Sequence, residues 1–171
     1  MKTLIPLSVI SFLLLLTPTL DCLAICISRT PEEIIGQSQF VIHGIVKEMK
    51  SARSEENSRF YTYVTVEVLG VFKGELGDRN EIVVRLRGSR GPDGRMSVEN
   101  QPVIMEEMDV IIHTVLLENG CFVIRGCEDG AYYVDDGVVS GMSGKVNMTL
   151  GQFKEFVEEV IKQEETKNVD P

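Results

Sequence analysis

From Phe60 to Phe72 the chain alternates with a period of two: Thr62, Val64, Val66 and Val68 fall on one side, Tyr61, Tyr63, Thr65 and Glu67 on the other. Successive side chains of a strand leave opposite faces, so this run is a strand with one buried and one wet face. Gly70 comes late in the run and is where a bulge is expected to bend it. A long strand that bends sharply belongs to a sheet that closes on itself.

The neighbouring segments supply partners. Phe40 to Val46 is rich in β-formers, and the charged, serine-containing stretch from Lys47 to Arg59 reads as strand end and loop. Lys73 to Asp78 is a turn, Glu81 to Arg87 a third strand, and Gly88 to Gly94 a loop of Gly, Ser, Pro and Asp. Asp109 to Leu117 and Cys121 to Gly126 form a hairpin around Glu118-Asn119-Gly120, with Asn-Gly supplying positive φ angles. A short strand, Tyr132 to Val134, lies between Asp129-Gly130 and Asp135-Asp136-Gly137.

Two helices flank these strands. Thr30, Pro31 and Glu33 make a capping box with proline at the first helical position, and Gly36 ends that helix after little more than a turn. Thr149 and Gln152 cap a second helix, whose Leu150, Phe153, Val157, Val160 and Ile161 share one face, while Gln163 to Pro171 reads as a frayed tail. The expected fold is mainly β: a small closed OB-like antiparallel barrel with a short N-terminal helix and a C-terminal amphipathic helix.

Met1-Lys2-Thr3 followed by the apolar run Leu4 to Leu16 has the layout of a secretory signal, with cleavage expected after Ala24 and Cys22 at the −3 position. Residues 1–24 are then the leader, 25–163 a single domain, and 164–171 a flexible tail. An uncleaved leader would tether the domain to a membrane. Lipidation is not expected, because Asp21 and Ile25 precede the two N-terminal cysteines where a small residue is needed. The formal charge of −9 repels phosphate backbones, which argues against nucleic acid. The expected location is extracellular or periplasmic.

Export makes disulfides permissible among the four cysteines. Cleavage after Ala24 leaves Cys26, Cys121 and Cys127, whereas an earlier cut retains Cys22 and allows two bridges. Cys121 and Cys127 would stand about 20 Å apart in an extended strand, too far to pair without a turn. The expected bridge joins Cys26 to Cys121 or Cys127 and contributes about 2–4 kcal/mol.

Cys26-Ile27-Ser28, then Pro31-Glu32-Glu33, then Phe40 to Val46, then Val68 to Gly74 with its Phe-Lys-Gly ending follow one another as do the elements of a known fold. In this order the chain resembles the netrin-like OB domain of tissue inhibitors of metalloproteinases. The resemblance covers Cys26 to Val84. It implies an inhibitor edge at Cys26, Ile27 and Ser28, in which the amine and carbonyl of a terminal cysteine chelate the target's zinc. The chain departs from that pattern at Ser28, where a second cysteine is usual, and at Ile25, which precedes Cys26 after the expected cleavage.

Candidate chemistry is sparse. His43 and His113 lie in strands without cysteine or carboxylate at ligand spacing, could approach one another across the barrel, and read as structural. Met105-Glu106-Glu107-Met108 with Met96 lacks the dense repeat of a thioether metal site. No serine sits on a nucleophile elbow, and Asp135-Asp136 is turn sequence, so neither an enzyme nor a cofactor is expected. Arg85, Arg87, Arg90 and Arg95 form a basic island that reads first as a solvated face balancing local acids and second as a patch for an acidic partner or anionic glycan. Asn147-Met148-Thr149 is an N-glycosylation pattern, although Thr149 is also needed as a cap. The expected function is that of a secreted, non-enzymatic binding module for an extracellular protein or surface polymer, with metalloproteinase inhibition and a membrane-tethered accessory role as alternatives.

Overall fold

The computed structural model describes residues 29–54, 59–88, 101–141 and 144–167. Helix α1 (Pro31–Gln37) leads into β1 (Phe40–Arg53), β2 (Phe60–Lys73), β3 (Glu81–Arg87), β4 (Asp109–Leu116) and β5 (Phe122–Ile124). A 3-10 turn (Cys127–Gly130), β6 (Ala131–Asp135), β7 (Val138–Gly141), β8 (Asn147–Thr149) and helix α2 (Leu150–Lys167) complete the chain.

Strands pair in the order β1-β2-β3-β5-β4, and β1 pairs again with β4, which closes a five-stranded barrel. All of its seams are antiparallel except that between β3 and β5, where Val84 faces Phe122 in parallel. An odd number of strands cannot alternate direction around a closed ring, so the expected OB-like barrel contains a parallel seam among its antiparallel ones.

The long strands bend at three register shifts. His43 faces Gly70 while Gly44 faces Val68, leaving Leu69 as an extra residue beside the glycine at which a bulge is expected. Gly44 allows the strands to meet closely at this bend, since a Cβ there would stand 2.2 Å from the carbonyl oxygen of Glu67. A third shift, between Val46 and Glu48, lies in β1. The stretch after Val46 is not a loop: β1 continues through Arg53, and its charges occupy a wet face opposite inward Met49.

Two cores share β1 and β4. Ile42, Val46, Val110 and Ile112 fill the barrel with Val64, Val66, Val84 and Phe122. Their neighbours Val41 and Ile111 face outward and meet Tyr132, Val139, Phe153, Val157 and Val160. The second layer is built by β6, which extends the edge of β4 beyond β5, by β7 and β8, and by α2 across them. β7 and β8 are additions to the expected strands, being too short for a visible period.

Both helix starts carry capping boxes, Thr30 with Glu33 and Thr149 with Gln152. Helix α1 runs one residue past Gly36, because Lys73 Nζ donates to the carbonyls of Ile35 at 2.7 Å and Gly36 at 3.1 Å. The expected tail is helical through Lys167, with Glu164 3.7 Å from Lys73 and Thr166 bonded to the carbonyl of Lys162. In the β4–β5 connection Gly120 alone takes a positive φ, of 82°, rather than Asn and Gly together.

Phe153 is fully buried against Tyr132 and Phe72. Phe153→Ala is expected to cost about 3–5 kcal/mol, against about 1 kcal/mol for Thr149→Ala, measured by denaturant unfolding. Equal losses would contradict this division between core and cap.

Candidate ligand-binding face

Interior positions of β1, β2 and β3 are fixed by Met49, Val64, Val84 and Leu86, so the residues between them point outward. Register then aligns two cross-strand rows on the outer face: Lys50, Tyr63 and Arg85, and beside them Ala52, Tyr61 and Arg87. Arg85 and Arg87 stand about 7 Å apart along β3, and Lys50 lies about 10 Å from Arg85 across Tyr63.

The Arg85 guanidinium lies 4.7 Å from the centre of the Tyr61 ring, a cation–π contact that fixes both side chains. Its Nε is buried without a hydrogen-bond partner among the described residues. Neither Arg85 nor Arg87 forms an ion pair among the described residues. Tyr63 and Arg85 are half-buried, and Arg87 is exposed. Lys50 is paired at 2.8 Å with Glu48, both in water, where such a pair exchanges readily.

The face is polarised. One row on, Glu48, Thr65 and Val83 align, and beyond them come Glu67 and Glu81. Lys47 pairs with Glu67 at 2.8 Å, and that hydrogen bond raises the lysine pKa. Arg90 and Arg95, the other members of the basic island, lie outside the described residues. Lys50 and its row had only one sequence cue, the alternation that resumes after Val46, and charge obscures it.

The two histidines do not meet across the barrel. They are diagonal neighbours on its outside, because His43 faces Ile111 and Val41 faces His113. His43 Nε2 is 2.7 Å from Asp109 Oδ1, and the ring stacks on Phe72. His113 is enclosed by Tyr132 and Phe153, with Nδ1 3.3 Å from the Gly130 carbonyl and Nε2 without a hydrogen-bond partner among the described residues. Burial, the largest effect, lowers its pKa to about 4 and keeps it neutral. Among the described residues no three His, Cys, Asp or Glu side chains are grouped to hold a metal ion.

Other candidates are dispersed. The amide of Met105 donates to Met108 Sδ and that of Met49 to Glu106, which knits the loop onto the barrel. Asp135 ends β6 and Asp136 enters its turn with φ 48°. Exposed Asn147 opens β8, while the Thr149 hydroxyl caps α2. Cys121 is a free thiol, which corrects its place among the bridging candidates, and Cys127 is disulfide-bonded. Cys121 sits at the hairpin tip, whereas Gly126, next to Cys127, packs against Ile34 of α1. Lys145 further ties this region to the carbonyl of Arg29 and to Asp129, each at 3.0 Å. Cys22, Cys26, Ile27 and Ser28 lie outside the described residues.

No helix among the described residues is long and apolar enough to cross a membrane. Compared with protein-family models, curated proteins and solved structures, the chain matches none.

Because folding lowers the His113 pKa, its neutral form contributes stability above pH 6.5 that is lost as pH falls through 4. The loss is about 3 kcal/mol. Denaturant unfolding between pH 7 and pH 3.5 should show it, and His113→Phe should flatten that part of the profile. An unchanged slope in the variant would assign the acid sensitivity to other groups.

Proposed function

We propose that this protein is an exported, non-enzymatic binding module that takes an anionic extracellular ligand on the outer face of β1, β2 and β3. The observation that carries this reading is the pair Arg85 and Arg87, without carboxylate partners among the described residues, beside half-buried Tyr63. Unpaired arginines offer planar donor forks suited to carboxylate or sulfate, and strands hold them at fixed spacing. Aromatic and arginine side chains dominate the energy of most binding surfaces. Export through the leader at residues 1–24 would present this face outside the cell; a retained leader would present it from a membrane.

Immobilised polyanions test the reading. A sulfated glycan, a uronic-acid glycan and poly-glutamate span the relevant chemistries, and at least one should retain the exported protein in a salt-sensitive way. The double variant Arg85→Glu, Arg87→Glu should lose at least about tenfold in affinity while unfolding at the same denaturant concentration. Retention by none of the three, or equal retention of the variant, would remove the face from consideration.

A second reading, metalloproteinase inhibition, draws on the anchoring of the N-terminal region. Cys127 is disulfide-bonded and Lys145 holds the carbonyl of Arg29, three residues after Cys26. A bridge from Cys26 to Cys127 would set a mature terminus at a fixed place on the barrel. Inhibition requires a chain that begins at Cys26 with a free amine. Titration of that form against a panel of zinc proteases should then show stoichiometric inhibition, and its absence would discard this reading.

A further inference from the structure

We infer that Asn119 is a site of spontaneous modification, at which the Gly120 nitrogen closes on the asparagine side chain, ammonia leaves, and hydrolysis leaves aspartate or isoaspartate at the tip of the β4–β5 hairpin. The isoaspartate form loosens the seam that closes the barrel. Neither step depends on the ligand-binding reading.

The chemistry begins with the sequence. Asn119 is the one asparagine of the chain that is followed by glycine. A glycine has no Cβ to obstruct its nitrogen as it swings toward the preceding side chain, and its backbone reaches conformations that strain other residues. Here Gly120 has φ 82°, and a Cβ placed on it would meet nothing within 4 Å. Glu118, Asn119 and Gly120 are all exposed, so water and hydroxide reach the reacting atoms. Asp136-Gly137 is exposed too but carries a carboxylate, a poorer electrophile than an amide.

The turn presents the two groups to one another. The Cys121 amide donates to Asn119 Oδ1 at 3.1 Å, which folds the side-chain amide back across the Gly120 peptide unit lying between them. The same hydrogen bond stabilises the negative charge that develops on Oδ1 as the nitrogen adds. One contact opposes the reaction: the Gly120 N–H donates to the Leu117 carbonyl at 3.0 Å and must be released before that nitrogen can attack. A single backbone hydrogen bond restrains the step about fivefold, and exposed tips open locally without global unfolding. The bond from Gly120 N to Asn119 Cγ then forms as the bond from Cγ to the side-chain nitrogen breaks, and that nitrogen leaves as ammonia with the Gly120 proton. Water opens the resulting succinimide at either carbonyl. Cleavage at Cγ gives aspartate, cleavage at the main-chain carbonyl carbon gives isoaspartate, and nothing is oxidised or reduced.

The position of the tip gives the change its effect. Isoaspartate routes the main chain through Cβ and Cγ, which inserts an extra carbon into a turn whose ends are joined by the bond from the Leu117 N–H to the Cys121 carbonyl at 2.8 Å. Phe122 follows at once. It is buried in the barrel core, faces Leu116 of β4, and makes with Val84 the only β3–β5 pair among the described residues. Strand β5 is three residues long, so it has few other bonds with which to hold its register. Aspartate, in contrast, leaves the backbone unchanged and adds only a negative charge.

Peptide mapping of the full chain after incubation at mildly alkaline pH tests this, with fragmentation that locates each asparagine and separates aspartate from isoaspartate. Asn119 is expected to convert at least about tenfold faster than Asn80, which precedes glutamate. The aged protein should unfold at a lower denaturant concentration than the fresh protein. Asn119→Asp carries the charge on a normal backbone and should unfold with the fresh protein, while Asn119→Ser should keep its stability throughout the incubation. Conversion of Asn119 no faster than Asn80 in the folded protein, whether or not it is fast in urea, would overturn the site. Isoaspartate at position 119 with unchanged unfolding would overturn its link to the barrel seam, as would a loss of stability on ageing that Asn119→Ser shares.

Discussion

The burial of β1 and β4 on both faces is the constraint from which the rest of the molecule follows. Val41 and Ile42, like Ile111 and Ile112, are adjacent residues that point in opposite directions, yet all four are almost wholly removed from water. Strands with two apolar faces need a cover on each side. The barrel interior supplies one cover, and α2 with β6, β7 and β8 supplies the other. His113 is caught in this arrangement: its strand position faces the second core, where hydration of a charged imidazole is not available, so it remains neutral. The outward rows of β2, β3 and the distal half of β1 lie outside this second core.

The half-wet strands were also the ones most legible in the sequence. Strand β2 shows its alternation openly because one face meets solvent, and the same argument places Arg85 and Arg87 together on β3. Strands β1 and β4 offer apolar runs without a period, which reveal burial but not what covers either face. Of the strands in the second layer, β6 is visible as Tyr132 to Val134, whereas β7 and β8 are too short to show a period.

Lys50 was hidden for a more specific reason. Between Val46 and Glu48 the register shifts by one residue, leaving Lys47 without a partner. Had the strand continued without that bulge, Lys50 would point into the barrel and Met49 outward, since a one-residue slip reverses every side chain beyond it. With the bulge, Met49 enters the core and Lys50 joins the row of Tyr63 and Arg85. The half of the candidate site on β1 thus depends on a backbone irregularity that a pattern of residue types does not display.

A cationic site on a chain of net charge −9 is electrostatically consistent because screening confines each charge to its neighbourhood. At physiological salt the Debye length is about 8 Å, so Arg85 and Arg87 respond mainly to groups in their own and adjacent rows. In those rows Glu48 is engaged with Lys50, and the Glu67 end is offset by Lys47. The Tyr61 ring under Arg85 adds a second effect, holding the guanidinium in place before any ligand arrives. An arginine already ordered loses little rotamer freedom on binding, so more of its interaction with an anion is retained as affinity. Local screening and this prior ordering make the two arginines a candidate site where the summed charge of the protein would suggest none.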